Sequence, residues 1–110
     1  MPEQELSAEA LELIAMRFKI LGDPMRLKIL HALQSGEKTV GELVSIVNAN
    51  QPNISKHLSI LRTAGLVKRR KESNLAYFTI GAPFVFELCE IVCGGIQNEL
   101  NSIQQQFSQG

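Results

Sequence analysis

Between Leu43 and Lys71 the chain has no aspartate or glutamate, and from Ile80 to its end it has no lysine or arginine. The first stretch carries six bases: Lys56, Arg62, Lys68, Arg69, Arg70 and Lys71. The second carries three acids: Glu87, Glu90 and Glu99. The formal net charge is zero, which excludes a uniformly basic protein but not a basic stripe on one face. Such a stripe is the electrostatic footprint of phosphate binding. Two segments of opposite sign in one small chain imply separate jobs.

Other absences narrow the classes further. No run approaches the ~18 apolar residues of a membrane span. The opening "MPEQELSAEA" lacks the apolar core of a signal peptide, so a cytoplasmic protein is expected. In that reducing compartment the two cysteines, Cys89 and Cys93, are expected as thiols or ligands rather than a structural disulfide. There is no glycine-rich phosphate loop, no paired carboxylate set and no nucleophile beside a base, so an enzyme is not expected. Repeats and low-complexity segments are also missing, although "QQQFSQG" makes a polar tail.

What is present is enough for a core. Of the 110 residues, 45% are hydrophobic, which excludes wholesale disorder. A core of this size is modest, and dimerisation would add buried area. Ser7 can cap a first helix, in which Leu11, Ile14, Phe18 and Leu21 repeat at helical spacing. Gly22-Asp23 stops it. Asp23 caps a second helix with Pro24 at its first position; Leu27, Leu30 and Leu33 form its inward face and Gly36 its stop. Thr39 and Glu42 make a capping box for a short third helix. Asn48 and Asn50 are turn residues. "QPNISKHLSILRTAG" is a fourth helix, with Pro52 tolerated in the first turn, Ile54, Leu58 and Leu61 inward, and Gly65 at the end. "LVKRRK" and "AYFTI" flank "ESN" as a hairpin. A long last helix starts near Pro83, with Gly94-Gly95 in its middle.

The expected architecture is therefore mainly α with a small β-hairpin. It is a winged helix-turn-helix. Residues 1–110 form one domain, with terminal helices at 7–22 and 83–108, the helix-turn-helix at 39–64 and the wing at 66–80. In such a unit the second helix lies in the major groove with its N-terminal polar residues at base edges. Here those residues are Gln51, Asn53, Ser55 and Lys56. Glutamine and asparagine pair bidentately with adenine, and lysine reaches guanine or phosphate. Ser59 and Arg62 meet the backbone. Lys68, Arg69, Arg70 and Lys71 of the hairpin reach phosphates or a minor groove. The competing reading is an ordinary polar surface on an interaction module that no longer binds DNA.

On these residues the chain resembles a known family. "FKILGDPMRLKILHAL" is similar to the second-helix signature of the ArsR/SmtB winged-helix transcriptional regulators. "QPNISKHLSILRTAGLVKRRKESNLAYFTI" is similar to that family's recognition helix and wing. The resemblance runs from about Met16 to Ile80. It implies a homodimeric repressor, with 7–22 and 83–108 as its dimerisation helices, that binds an imperfect palindrome and leaves it on sensing a metal, metalloid or redox signal. The chain departs from the family's best-known sensor sites. Thr39 and Gly41 stand where many arsenic sensors have a Cys-Val-Cys pattern, and the last helix lacks the Asp and His of the zinc sensors. His31 is expected to be structural, and His57 to touch phosphate or to pack.

The remaining candidates are Cys89 and Cys93. Phe86, Cys89, Cys93, Ile96, Leu100, Ile103 and Phe107 recur at alternating spacings of three and four, the mark of a coiled-coil seam. With Leu11, Ile14 and Phe18 they are the expected dimer interface. Two readings of the thiols stand. They can simply fill the seam as small hydrophobes. Alternatively they form a dithiol sensor, since cysteines four apart share one helix face and soft thiolates select soft ions such as trivalent arsenic or antimony. Oxidation or persulfide formation is the rival chemistry. A disulfide between them would strain an intact helix, and the neighbouring glycines would ease the unwinding it requires. No cofactor is required by any of these readings.

Overall fold

The computed structural model describes residues 5–109; of these, the side chains of Phe86, Cys89, Cys93 and residues 105–109 lie outside the described set. Five helices and three strands follow in the order α1 (Ala8–Leu21), α2 (Pro24–Leu33), β1 (Lys38–Thr39), α3 (Val40–Val47), α4 (Gln51–Thr63), β2 (Val67–Glu72), β3 (Leu75–Ile80) and α5 (Pro83–Gln109). The strands make one antiparallel sheet in the order β1-β3-β2. Among the described residues, no helix is long and apolar enough to cross a membrane.

The helix boundaries are set by side chains close in sequence, except that α2 ends at Leu33 rather than at the expected Gly36, because the Gln34 N–H already turns back to His31 O. Ser7 Oγ accepts from the Ala10 N–H at 3.0 Å. Asp23 Oδ1 accepts from Met25 and Arg26, and Pro24 follows where its missing N–H costs nothing. The capping box is complete: Glu42 N–H donates to Thr39 Oγ1 at 3.2 Å, and Thr39 N–H donates to Glu42 Oε1 at 2.9 Å. Asn48 takes the left-handed conformation that asparagine tolerates, closing α3, and Asn50 Oδ1 accepts from Asn53 N–H at 2.8 Å to open α4. Gly65, at φ +77°, ends α4 in a Schellman motif. Its N–H reaches Arg62 O and the Leu66 N–H reaches Leu61 O. That reversal buries Leu66 and Val67 and launches the hairpin directly from the end of α4.

The core lies where α2, α3, α4 and the sheet converge. Ile29, Leu30, Leu33, Leu43, Ile54, Leu58, Leu61, Leu66, Val67 and Val85 are fully buried there. The buried stripe of α2 is turned from the expected one. Leu30 and Leu33 are inward, but Ile29 and Ala32 join them while Leu27 is 44% exposed. This helix packs against α1, α3, α4 and β3 together, so its buried face is wide and centred away from Leu27. His31, expected to be structural, is also exposed, because it lies one turn from Leu27 on the same outward stripe. The strand β1 was not expected at all. Its two residues pair with Phe78 and Tyr77 and tie the wing to the start of α3.

The hairpin is slightly longer than expected, with Glu72 and Leu75 paired at its tip. The last helix runs unbroken for 27 residues through Gly94 and Gly95. It projects from the body: the radius of gyration is 16.9 Å, against about 13 Å for a compact domain of this length.

Candidate nucleic-acid interface

The polar face of α4 is available to solvent. Ile54, His57, Leu58 and Leu61 are buried, while Gln51, Ser55, Lys56, Ser59 and Arg62 are exposed. Gln51, Ser55, Ser59 and Arg62 follow one another at steps of four, four and three, so they form one stripe, and Lys56 flanks it. Asn53 does not belong to this stripe. At 3.6 residues per turn it points roughly 160° away from Ser55, and it is half-buried. In the sequence it stands beside the others because it shares the helix's first turn, not its outward face.

Alternation along β2 divides the basic run. Val67, Arg69 and Lys71 share the sheet face opposite Ile80, Phe78 and Ala76, while Lys68, Arg70 and Glu72 share the other. Arg69 thereby turns toward α4. With Ser55, Ser59 and Arg62 it lines a cleft of ≈ 280 Å³ floored by Leu58 and Phe78. Thus the fold joins the exposed stripe of α4 to the base of the wing.

Arg70 is differently employed. Its guanidinium donates to Glu37 Oε2 from Nε at 3.0 Å and to Glu37 Oε1 from Nη2 at 2.6 Å. Nη1 donates to Glu72 Oε2 at 2.6 Å, and the cation lies 4.6 Å from the centre of the Tyr77 ring. The hydrogen bond from Arg70 holds the Glu37 carboxyl below its ordinary pKa, and Glu37, then Glu72, hold the guanidinium further above its own. Arg70 therefore props the wing against the α2–β1 loop, and its charge is met within the chain. Glu37 and Tyr77 were not legible as wing supports, because Glu37 stands 33 positions from Arg70 with no local pattern linking them.

A pH effect follows. The Glu37 pKa is depressed on folding, so its contribution is present above its ordinary value of 4.5 and is lost as the pH falls below that value. At pH 7, Glu37→Gln is expected to speed hydrogen exchange of the β2 and β3 amides by roughly twofold, the scale of an exposed pair. The difference should vanish well below pH 4.5. Equal exchange at pH 7 would show that the bridge does not brace the wing.

The expected interface residues of α1 lie on the surface of the single chain: Leu11 is 52% exposed and Phe18 61%, with Ile14 exposed too. On α5, Ile96, Leu100 and Ile103 are about half exposed. Ile14 and Phe18 border a groove shared with Phe84, Leu88 and Ile91 of α5. Phe86, Cys89, Cys93 and Phe107, also assigned to this seam, have side chains outside the described set.

Comparison with known proteins agrees with this architecture. The model of "Bacterial regulatory protein, arsR family" matches residues 23–69. An HTH-type transcriptional regulator of Mycobacterium tuberculosis is 39% identical over 67% of this chain and 66% of its own length, so the chain matches just under two thirds of that relative. Its crystal structure superposes with a TM-score of 0.77 over 87% of this chain and 97% of that one, at 34% identity. A homodimeric winged helix-turn-helix DNA-binding domain of Mycobacterium bovis superposes with a TM-score of 0.78 at 28% identity, covering 90% and 94% of the two chains. A probable mercury resistance operon repressor of Streptomyces lividans is 38% identical over 64% of this chain and 57% of its own. These relatives are transcriptional regulators, not enzymes. With its winged helix-turn-helix and its signature from Asp23 to Arg69, the chain belongs to the arsR family of bacterial regulatory proteins.

Proposed function

We propose that the protein is a sequence-specific, homodimeric repressor of transcription that a thiol-reactive signal releases from its operator. The observation that carries the DNA reading is the cleft where Ser55, Ser59 and Arg62 of α4 meet Arg69 of the wing. It makes one continuous surface of the two elements that would enter the groove and grip the flanking backbone. In this reading Gln51, Ser55 and Lys56 meet base edges, Ser59 and Arg62 the adjacent backbone, and Lys68, Arg69 and Lys71 phosphates. Asn53 acts at the flank, and Arg70 holds the wing in place. Two copies of α4 then read the half-sites of an imperfect palindrome, whose spacing mirrors the dimer.

The exposed apolar residues of α1 and α5 support the dimer. A row of large apolar side chains on a soluble surface marks a site of association, and the related domain of M. bovis is homodimeric. The sensor is assigned to Cys89 and Cys93. An unbroken helical backbone passes through both, four positions apart, so the two lie on one face. Two soft sulfur donors suit a thiophilic ion such as trivalent arsenic or antimony; a third thiolate would come from the other subunit or a small thiol. Among the described residues no group of three His, Cys, Asp or Glu gathers at metal-binding distance. The mercury resistance repressor among the relatives favours a soft metal over a purely oxidative signal.

The test is a fluorescence-anisotropy titration of the reduced protein onto its promoter fragment. Arsenite, antimonite, cadmium, zinc and polysulfide are then added in turn. Release by a thiophilic ion is expected, and Cys89→Ser with Cys93→Ser should keep the affinity and lose the release. Release by polysulfide alone would replace the metal with persulfide chemistry at the same thiols. An undiminished response in the double variant would move the sensor elsewhere, and no release by any agent would leave the cysteines as seam packing.

A further inference from the structure

Among the described residues, His57 is the buried polar side chain of the core, 8% exposed. It stands on α4, between the inward Ile54 and Leu61 and the half-buried Asn53 and Ile60. Its partner comes from another helix: Arg26 Nε donates to His57 Nδ1 at 3.1 Å. The same guanidinium donates through Nη1 to the carbonyl oxygen of Ile20 at 3.0 Å. That carbonyl belongs to the last turn of α1. The residue four positions on is Pro24, which has no N–H to offer it. Arg26 itself is anchored at the first turn of α2, where its backbone N–H and that of Met25 donate to Asp23. One side chain thus joins the end of the apolar-surfaced helix α1, the start of α2 and the buried flank of α4.

We infer that Arg26 is a positioning residue for DNA binding, setting through His57 the angle at which α4 is presented relative to α1. The inference rests on α4 being the helix that enters DNA. Its chemistry is specific. A guanidinium presents several donors in a rigid plane, so it can satisfy a backbone carbonyl and an imidazole nitrogen together; an ammonium carries its three donors on one atom and cannot span the two acceptors in the same way. His57 must be unprotonated at Nδ1 to accept, which places the ring proton on Nε2. Among the described residues, the imidazole meets the guanidinium of Arg26 from α2, which Asp23 anchors at the α1–α2 corner through the Arg26 backbone N–H. Movement of α1 against a partner subunit would pass through this bond to the recognition helix. The link lies on the opposite flank of α4 from the cleft shared with Arg69, so it orients the helix without occupying its contact face.

The experiment compares operator affinity, by anisotropy, of the wild-type dimer with Arg26→Lys, His57→Leu, His57→Asn and the Arg26→Lys, His57→Leu double variant. Thermal unfolding of each is followed in parallel. Asparagine keeps an acceptor near the place of Nδ1, and leucine keeps bulk without one. Arg26→Lys and His57→Leu are expected to weaken binding by on the order of tenfold, a typical cost for a charged hydrogen bond. The double variant should lose little more than either alone, and His57→Asn should recover most of the affinity. His57→Leu binding as tightly as His57→Asn, or single effects that multiply in the double variant, would overturn the role. Imidazole ¹⁵N shifts of the wild-type protein test it without a substitution: the Nε2-protonated tautomer is expected, and an Nδ1–H ring would overturn it. Wild type that fails to bind its promoter overturns both this and the DNA reading. Wild type that binds while Arg26→Lys binds equally well overturns this alone.

Discussion

Raising the salt from 50 to 200 mM is expected to weaken operator binding by roughly 10³–10⁵-fold, the range for proteins that neutralise six to ten phosphates. Each subunit offers Lys56, Arg62, Lys68, Arg69 and Lys71 as exposed bases on or beside α4 and the wing. The proposed dimer doubles that set. Substitution separates the wing arginines. If each Arg69 meets one phosphate, Arg69→Ala removes two contacts from the dimer and lowers the slope of log affinity against log salt by about 2. Arg70→Ala should leave that slope nearly unchanged, because Glu37 and Glu72 already meet its charge. Any affinity lost with Arg70 should come from a looser wing, at every salt concentration alike. An equal flattening by the two variants would return Arg70 to the phosphate contacts. A titration indifferent to salt would remove the phosphate reading of the whole basic run.

Leu61→Ala is expected to destabilise the fold by about 2–5 kcal/mol, the usual cost of emptying a buried leucine site. The side chain is 0% exposed, and its carbonyl receives the Leu66 N–H that closes the Schellman turn, so collapse around the cavity is restricted. Against a typical total of about 5–15 kcal/mol this is a large share. Leu27→Ala, at a position 44% exposed, should cost less than about 1 kcal/mol in the single chain. Urea denaturation at one fixed protein concentration measures both, since dimerisation makes apparent stability concentration-dependent. Equal losses would show that Leu27 is covered in the folded state.

That pair also marks where one-dimensional reading ends. Leu27, Leu30 and Leu33 satisfy a helical repeat as well as Ile29, Leu30 and Leu33 do. Periodicity defines that a stripe exists, while the neighbours decide its centre. Several caps were legible because they are local, although α2 stops at Leu33, short of the expected Gly36, and Asn50, expected only in a turn, caps α4. Ser7, Asp23, Thr39, Glu42 and Gly65 each act on backbone groups within five positions, so composition and spacing carry the whole interaction. The strand β1 was hidden for the opposite reason: two residues cannot display an alternation, and their pairing partners, Phe78 and Tyr77, come from the far strand of the hairpin.

The candidate interface divides along the same line. The polar stripe of α4 and the basic run of β2 were visible in the sequence, because one face of a short helix and one unbroken charge run are local patterns. Their contact was not. Only the packing of the hairpin on α4 turned Arg69 toward Ser59 and Arg62 and drew Arg70 away to Glu37. His57 was open to two roles until α2 brought Arg26 against it. By itself the sequence determined the family, the helix boundaries and the separation of basic from acidic segments, since each depends on residues near one another in the chain. The tertiary structure alone decided which of the described charged groups meet a partner within the chain and which polar groups are buried, because a charge or donor is satisfied by whatever the fold places within about 3 Å of it.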